Sequence, residues 1–283
     1  MSLSDAPRRR DFSQVDVFTA TALLGNPLAV VHDGGGLSDA RMAEFARWTN
    51  LSETTFLLPP TDPQADYRVR IFTPGGELPF AGHPTLGSCH VWLAAGGQPR
   101  AADTVVQECG IGLVRIQRGE RLAFAAPPTR VERADAELLS RVYAALGLDP
   151  ARVRDAAWLT NGPRQLALLL DDAASVLALK PDHSLLKTLV PVGVVAAHPS
   201  GSACGFEVRF FAAPIGVPED PVTGSLNANI AHWLIDSGRA PASYVAAQGA
   251  VLGRAGRVYV RRDAAATWIG VDVAPCIAGS VIV

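Results

Sequence analysis

Three residues stand where proton-transfer chemistry could be done. They are Glu53 in "NLSETTFLLPP", His83 in "ELPFAGHPTLG" and Asp220 in "GVPEDPVTGS". His83 and Asp220 each lie in a Gly/Pro-rich turn directly before a helical pattern. A helix start exposes free backbone N–H groups and the positive end of the dipole. Two such starts facing each other would bind a carboxylate, and Gly82, Gly224 and Ser225 are small enough to let a ligand approach the backbone. Glu53 opens an apolar strand beside Thr54, Thr55 and Phe56, where burial raises a carboxyl toward the range of a general base. Each residue also has a plainer reading. His83 would be a hydrogen-bonded junction residue, Asp220 a turn or cap residue before Pro221, and Glu53 a solvated glutamate at a strand end. Residue type and spacing alone leave both readings open.

Other chemistries are poorly served. The chain has neither a GxxxxGK[ST] phosphate loop nor a GxGxxG after a strand, and "DGGGLSD" reads as a turn. HExxH is absent. His83 and His90, seven apart, could share a helical face, but no third ligand accompanies them, so no metal site is expected. The two lysines, Lys180 and Lys187, lie in contexts that do not suggest a Schiff base. The 283 residues carry a formal charge of −2, which disfavours a nucleic-acid binder. The one basic cluster, Arg8-Arg9-Arg10, reads as a solvated tail. With 48% hydrophobic and 18% charged residues, a sizeable core is expected. No apolar run approaches the ~20 residues that cross a bilayer, and "MSLSDAPRRRD" carries no apolar signal region. Cys89, Cys109, Cys204 and Cys276 are widely spaced, as expected of reduced thiols in a cytoplasmic protein.

The elements that must position these residues occur twice. "RIFTPGGELPFAGHPTLGSCHVW" (70–92) and "RFFAAPIGVPEDPVTGSLNANIAHW" (209–233) each run Arg, apolar, Phe, then a turn and a helical pattern ending in Trp. Upstream, "GNPLAVV" and "NGPRQLALLL" each give a Pro-containing turn before an apolar strand. The repeat is too long for a solenoid unit, and two related domains are expected, 1–122 and 123–283, with the final strands packing back on the first half. "LSDARMAEFARWTN" predicts a helix capped by Ser38, with Met42, Phe45 and Ala46 on one face. "PTLGSCHVWLAAGG" predicts a second, with Pro84 in its first turn. Further helices are expected at 135–147, 182–189 and 224–237, with strands between. In the second half no acid matches Glu53: the corresponding stretch is "VPVGVVAAHP".

Taken together, "DVFTATALLGNPLAVV", "NLSETTF", "RIFTPGGELPFAGHPTLG", "GFEVRFFAAPIGVPEDPVTGS" and "QGAVLGRAGRVYV" resemble the phenazine-biosynthesis PhzF family over nearly the whole chain. The resemblance implies an α+β, diaminopimelate-epimerase-like fold. Two pseudo-symmetric domains would each wrap a β-barrel-like sheet around a central helix, with the active site in the cleft between them. It implies a cofactor-independent isomerase, similar to trans-2,3-dihydro-3-hydroxyanthranilate isomerase, and a homodimer. By motif, Glu53 matches the catalytic glutamate, and His83 and Asp220 match the other acid–base residues. Gly82, Gly224 and Ser225 match positions that hold a substrate carboxylate. An epimerase or racemase of an amino or hydroxy acid, or a non-catalytic small-molecule binder, would use the same residues. The related epimerases use two opposed cysteines, and neither junction has one at the matching place; Cys89 lies about a turn and a half into the helix.

Overall fold

A computed structural model describes residues 7–283, which form two compact units. Unit 1 runs to Ala125 and takes in Gly270–Val283; unit 2 is Ala126–Ile269. Among the described residues no helix is long and apolar enough to cross a membrane.

In unit 1, β1 (Arg9–Val17) pairs antiparallel with β2 (Asn26–Val31), and β2 runs parallel to β3 (Glu53–Leu58). Between β2 and β3 lies α1 (Asp39–Thr49). The expected cap forms: Ser38 accepts from the Arg41 N–H, and Met42, Phe45 and Ala46 are buried. Burying a side chain such as Met42 or Phe45 contributes roughly 1.5–3 kcal/mol. β3 pairs antiparallel with β4 (Tyr67–Thr73), which forms a hairpin with β5 (Gly76–Leu78). The chain then enters α2 (Gly82–Ala94) and returns through β6 (Thr104–Cys109), parallel to β4. β7 (Gly112–Gln117) and β8 (Leu122–Ala125) extend the sheet antiparallel.

The helix α2 packs against β1, β2, β3, β4, β6 and β8. It is apolar on nearly every side, as a helix enclosed by a sheet must be. Gly87 lets it sit this close: a Cβ there would lie 2.5 Å from the Leu28 side chain and 2.8 Å from that of Val17.

Unit 2 repeats the order. β9 (Arg130–Arg133) leads through α3 (Ala136–Leu146) to β10 (Val153–Thr160), with which it pairs. β10 is antiparallel to β11 (Arg164–Leu170). Two short helices, α4 (Ala173–Ala178) and α5 (His183–Leu186), precede β12 (Val192–Ala197), which is parallel to β11. The pattern did not predict α4, which is only six residues long, and α5 is shorter than the expected 182–189. β13 (Phe206–Ala212) and β14 (Val217–Asp220) lead into α6 (Gly224–Asp236). β15 (Ser243–Gln248) returns parallel to β13, and β16 (Gly256–Arg262) is antiparallel to β15. β17 (Thr267–Val271) follows. At β12, Gly193 gives α6 its close approach, with a Cβ there only 2.5 Å from Leu226.

β18 (Val273–Ile282) belongs to unit 1 and pairs along the length of β1, from Arg9↔Ile282 to Val17↔Val273. This corrects the reading of the three arginines as a solvated tail. Residues 1–6 lie outside the described part, but Arg9 and Arg10 open β1. Arg10 is 4% exposed. Its Nη2 donates to Gly35 O at 3.0 Å, its Nη1 donates to Asp33 O, and Nη1 lies 3.4 Å from Asp33 Oδ2. A charge pattern cannot show a strand partner more than 250 residues away.

Candidate active site

The first turn of α2 brings two of the sequence-predicted residues together. His83, the second residue of the helix, is 5% exposed. Its Nδ1 is 3.0 Å from Oε2 of Glu53, the first residue of β3. The glutamate side chain is 17% exposed, so the solvated strand-end reading does not hold. The His83 Nε2 is buried and has no hydrogen-bond partner among the described residues. With Glu53 ionised, Nδ1 carries a proton toward it. Nε2 is then a bare acceptor in the neutral ring or a second donor in the cation.

Phe18 packs beside the imidazole, with ring centroids 6.2 Å apart. It directly follows β1, is fully buried and has φ +70°. A bulky residue holds that conformation only where its surroundings impose it. Gly82, the first residue of α2, faces Phe124: a Cβ at Gly82 would lie 2.6 Å from the ring.

In unit 2, Asp220 ends β14 and lies four residues before α6. The Thr223 hydroxyl donates to its Oδ2 at 2.5 Å. Ser225, the second residue of α6, accepts from Gln165 Nε2 at its Oγ (3.2 Å) and from Asn161 Nδ2 at its carbonyl (3.3 Å). Gln165 and Asn161 carried no signal in the sequence beyond their place in a repeated strand–turn unit. Glu219, Asp220's neighbour, is taken up by structure. Arg209 holds it with a two-pronged bond (2.8 Å each), just as Arg70 holds Glu77 (2.8 and 2.6 Å).

The helices differ in how they begin. α1, α3, α4 and α5 are capped by the side chains of Ser38, Asp135, Asp172 and Asp182. α2 and α6 begin at Ala81 and Thr223 with no side-chain cap. A capping side chain would occupy the N–H groups that an incoming anion needs. Cys89 is fully buried in α2, and burial pushes its thiol up to about 12. It is therefore no thiolate base. Among the described residues, no three or more His, Cys, Asp or Glu side chains cluster to hold a metal ion.

With a sheet-wrapped helix in each unit, the fold is that of PhzF-family and diaminopimelate-epimerase-like proteins. Residues 15–272 match the family of phenazine biosynthesis-like proteins, and the chain belongs to that family. It is 36% identical over 261 residues to trans-2,3-dihydro-3-hydroxyanthranilate isomerase of Pseudomonas aeruginosa, covering 89% of this chain and 90% of that one. It is 35% identical over 288 residues to antisense-enhancing sequence 1 of Schizosaccharomyces pombe, covering 95% and 97%. The crystal structure of a PhzF-family phenazine biosynthesis protein from Enterococcus faecalis superposes with a TM-score of 0.82 at 28% identity, covering 97% of this chain and 99% of that one.

Proposed function

We propose that the chain is a cofactor-independent isomerase that moves a proton between two carbons of a small carboxylic acid. The single observation that carries this reading is the Glu53–His83 pair, hydrogen-bonded through Nδ1 with a buried, open Nε2. A general base and a second proton carrier within hydrogen-bond reach are what such a transfer requires. Glu53 takes the proton from carbon, and the electron pair of that C–H bond shifts the neighbouring double bond. The protonated Glu53, or His83 through Nε2, returns a proton to a different carbon. Substrate and product then have the same formula, and no electrons leave the molecule.

Asp220 is assigned the further acid–base role by its family motif. Gly82, Gly224 and Ser225, at the uncapped starts of α2 and α6, are assigned to the substrate carboxylate. The isomerase of Pseudomonas aeruginosa names the test compound, trans-2,3-dihydro-3-hydroxyanthranilate. Incubated with it in deuterated water, the protein is expected to incorporate deuterium at carbon and shift the double bond. Glu53→Gln is expected to bind the compound and exchange nothing, and normal exchange in that variant would overturn the role of Glu53. Inversion at one carbon without a shifted bond would instead mark an epimerase. Tight binding with no exchange by the unaltered protein would mark a binding protein. The homodimer belongs to the same proposal, and light scattering of the purified chain tests it.

A further inference from the structure

The motif "QGAVLGRAGRVYV" begins with a glutamine that the proposed reaction leaves unused. Gln248, the last residue of β15, is 1% exposed and lies beneath the start of α6. Its Oε1 accepts from the Thr223 backbone N–H (3.1 Å) and from Asn227 Nδ2 (2.9 Å). Its Nε2 donates to the Asp220 carbonyl (3.2 Å) and to Thr223 Oγ1 (3.1 Å). Asn227, itself 1% exposed, also donates from Nδ2 to the Thr223 carbonyl at 2.9 Å.

Amide groups are often ambiguous by 180°, but here the backbone settles the matter. The Thr223 N–H can only donate, and the carbonyls of Asp220 and Thr223 can only accept. One orientation of each amide satisfies all three. Gln248 Nε2 therefore donates to the Thr223 hydroxyl. That hydroxyl has one proton, and its remaining partner is Asp220 Oδ2 at 2.5 Å. The direction of every bond from Asn227 to Asp220 is fixed.

We propose that Gln248 is a positioning residue for Asp220, acting through Thr223. By donating to the Thr223 oxygen, Gln248 commits the hydroxyl proton to Asp220 Oδ2. Oδ2 thereby accepts the Thr223 proton, and the carboxylate is held against the start of α6. The inference rests on the acid–base role proposed above for Asp220, and one arm of its test is independent of that role.

Neutron diffraction from deuterium-exchanged crystals of the full chain shows the polarity without any substrate. The expected map has the Thr223 deuteron directed at Asp220 Oδ2 and one Gln248 deuteron directed at Thr223 Oγ1. A Thr223 deuteron directed at Gln248, or a deuteron on Asp220 Oδ2 directed at Thr223 Oγ1, overturns the proposal. The second arm measures deuterium incorporation into trans-2,3-dihydro-3-hydroxyanthranilate. Thr223→Val and Gln248→Glu are expected to lower kcat by about tenfold to a hundredfold, the scale on which groups behind a reacting residue act. KM should stay within about twofold, because uniform binding is untouched, and Thr223→Ser should restore kcat. Equal kcat in Thr223→Val and the unaltered protein overturns the proposal. If the unaltered protein exchanges nothing, the functional reading falls with this compound, and the neutron map still decides the polarity of the network.

Discussion

In unit 1 two ionisable residues meet from two elements: His83 rides on the first turn of α2, and Glu53 reaches it from the start of β3. In unit 2 Asp220 is carried by the strand before the helix, and a network of neutral side chains holds it. The registers make this comparison residue by residue. Ile71 pairs with Leu78 and Phe210 with Asp220, each the residue that follows the repeated arginine, so Asp220 occupies the place of Leu78. Counting onward, Ser225 occupies the place of His83, and Thr223 that of Ala81. Where Leu28 meets Glu53 across the parallel pair β2–β3, Leu166 meets Val192 across β11–β12. The scaffold contacts and the Arg–Glu pairs repeat, and Glu53, His83 and Asp220 do not. A duplicated shell can hold an ionisable residue in one copy and leave the matching place in the other apolar or neutral.

Substitutions at matched places break or sharpen this comparison. The largest contrast is expected between His83→Gln and Ser225→Ala. The first should lower proton exchange by about 10²–10⁴-fold. The second should mainly raise KM, by about tenfold, since it removes one hydrogen bond to a bound carboxylate. Steady-state kinetics separates the two, and similar kcat losses in both would erase the distinction.

The repeated arginines come next. Arg209 and Glu219 expose only 2% and 6% of their side chains, against 17% and 43% for Arg70 and Glu77. Arg209→Met strands a buried carboxylate and should cost about 3–5 kcal/mol in urea unfolding. Arg70→Met should cost about 0–1 kcal/mol, because water screens that pair. Smaller again is the effect of Gly87→Ala and Gly193→Ala, each expected to cost about 1–3 kcal/mol by overpacking against Leu28 and Leu226, read as a lower thermal midpoint. The glycine is on the helix in unit 1 and on the strand in unit 2, so equal losses would show that either side can supply the gap.

The smallest effect is one of pH. Burial raises the Glu207 carboxyl, with the His198 hydrogen bond at 3.0 Å opposing. A carboxyl raised by folding contributes stability below its unfolded value of 4.5 and loses it as pH climbs through the folded value. Glu207→Gln should therefore gain thermal midpoint on the unaltered protein between pH 4 and 8. Its counterpart two residues before Arg70 is Arg68, 37% exposed at the side chain and 4.0 Å from Glu108, so the matched places carry opposite charges.

Local signals carried the elements that a short pattern can write. Ser38 followed by a 3.6-residue period predicts α1 and its buried face, and the repeat predicts both enclosed helices. The pairing of Glu53 with His83 was legible only as two separate junction features, because a hydrogen bond across thirty residues leaves no periodic trace. Gln248 was invisible for a similar reason. A lone buried glutamine looks like any other until its partners Thr223 and Asn227 are in place. Arg9 and Arg10 misled because composition reads charge as solvent exposure, while strand pairing with β18 is decided far away. The six residues of α4 are too few to show a period.

The pairing of β1 with β18 bears on how the chain is made. On a ribosome, β1 emerges long before residues 273–282 exist, and all of unit 2 is synthesised in between. For that interval one flank of β1 is an open sheet edge, a template for pairing with a neighbouring nascent chain. Its first residues, Arg9, Arg10 and Asp11, carry charge along the waiting edge. Charged side chains are a common guard on such edges. The same Arg10 that anchors beside Asp33 in the finished fold puts charge on that edge for as long as β18 is missing.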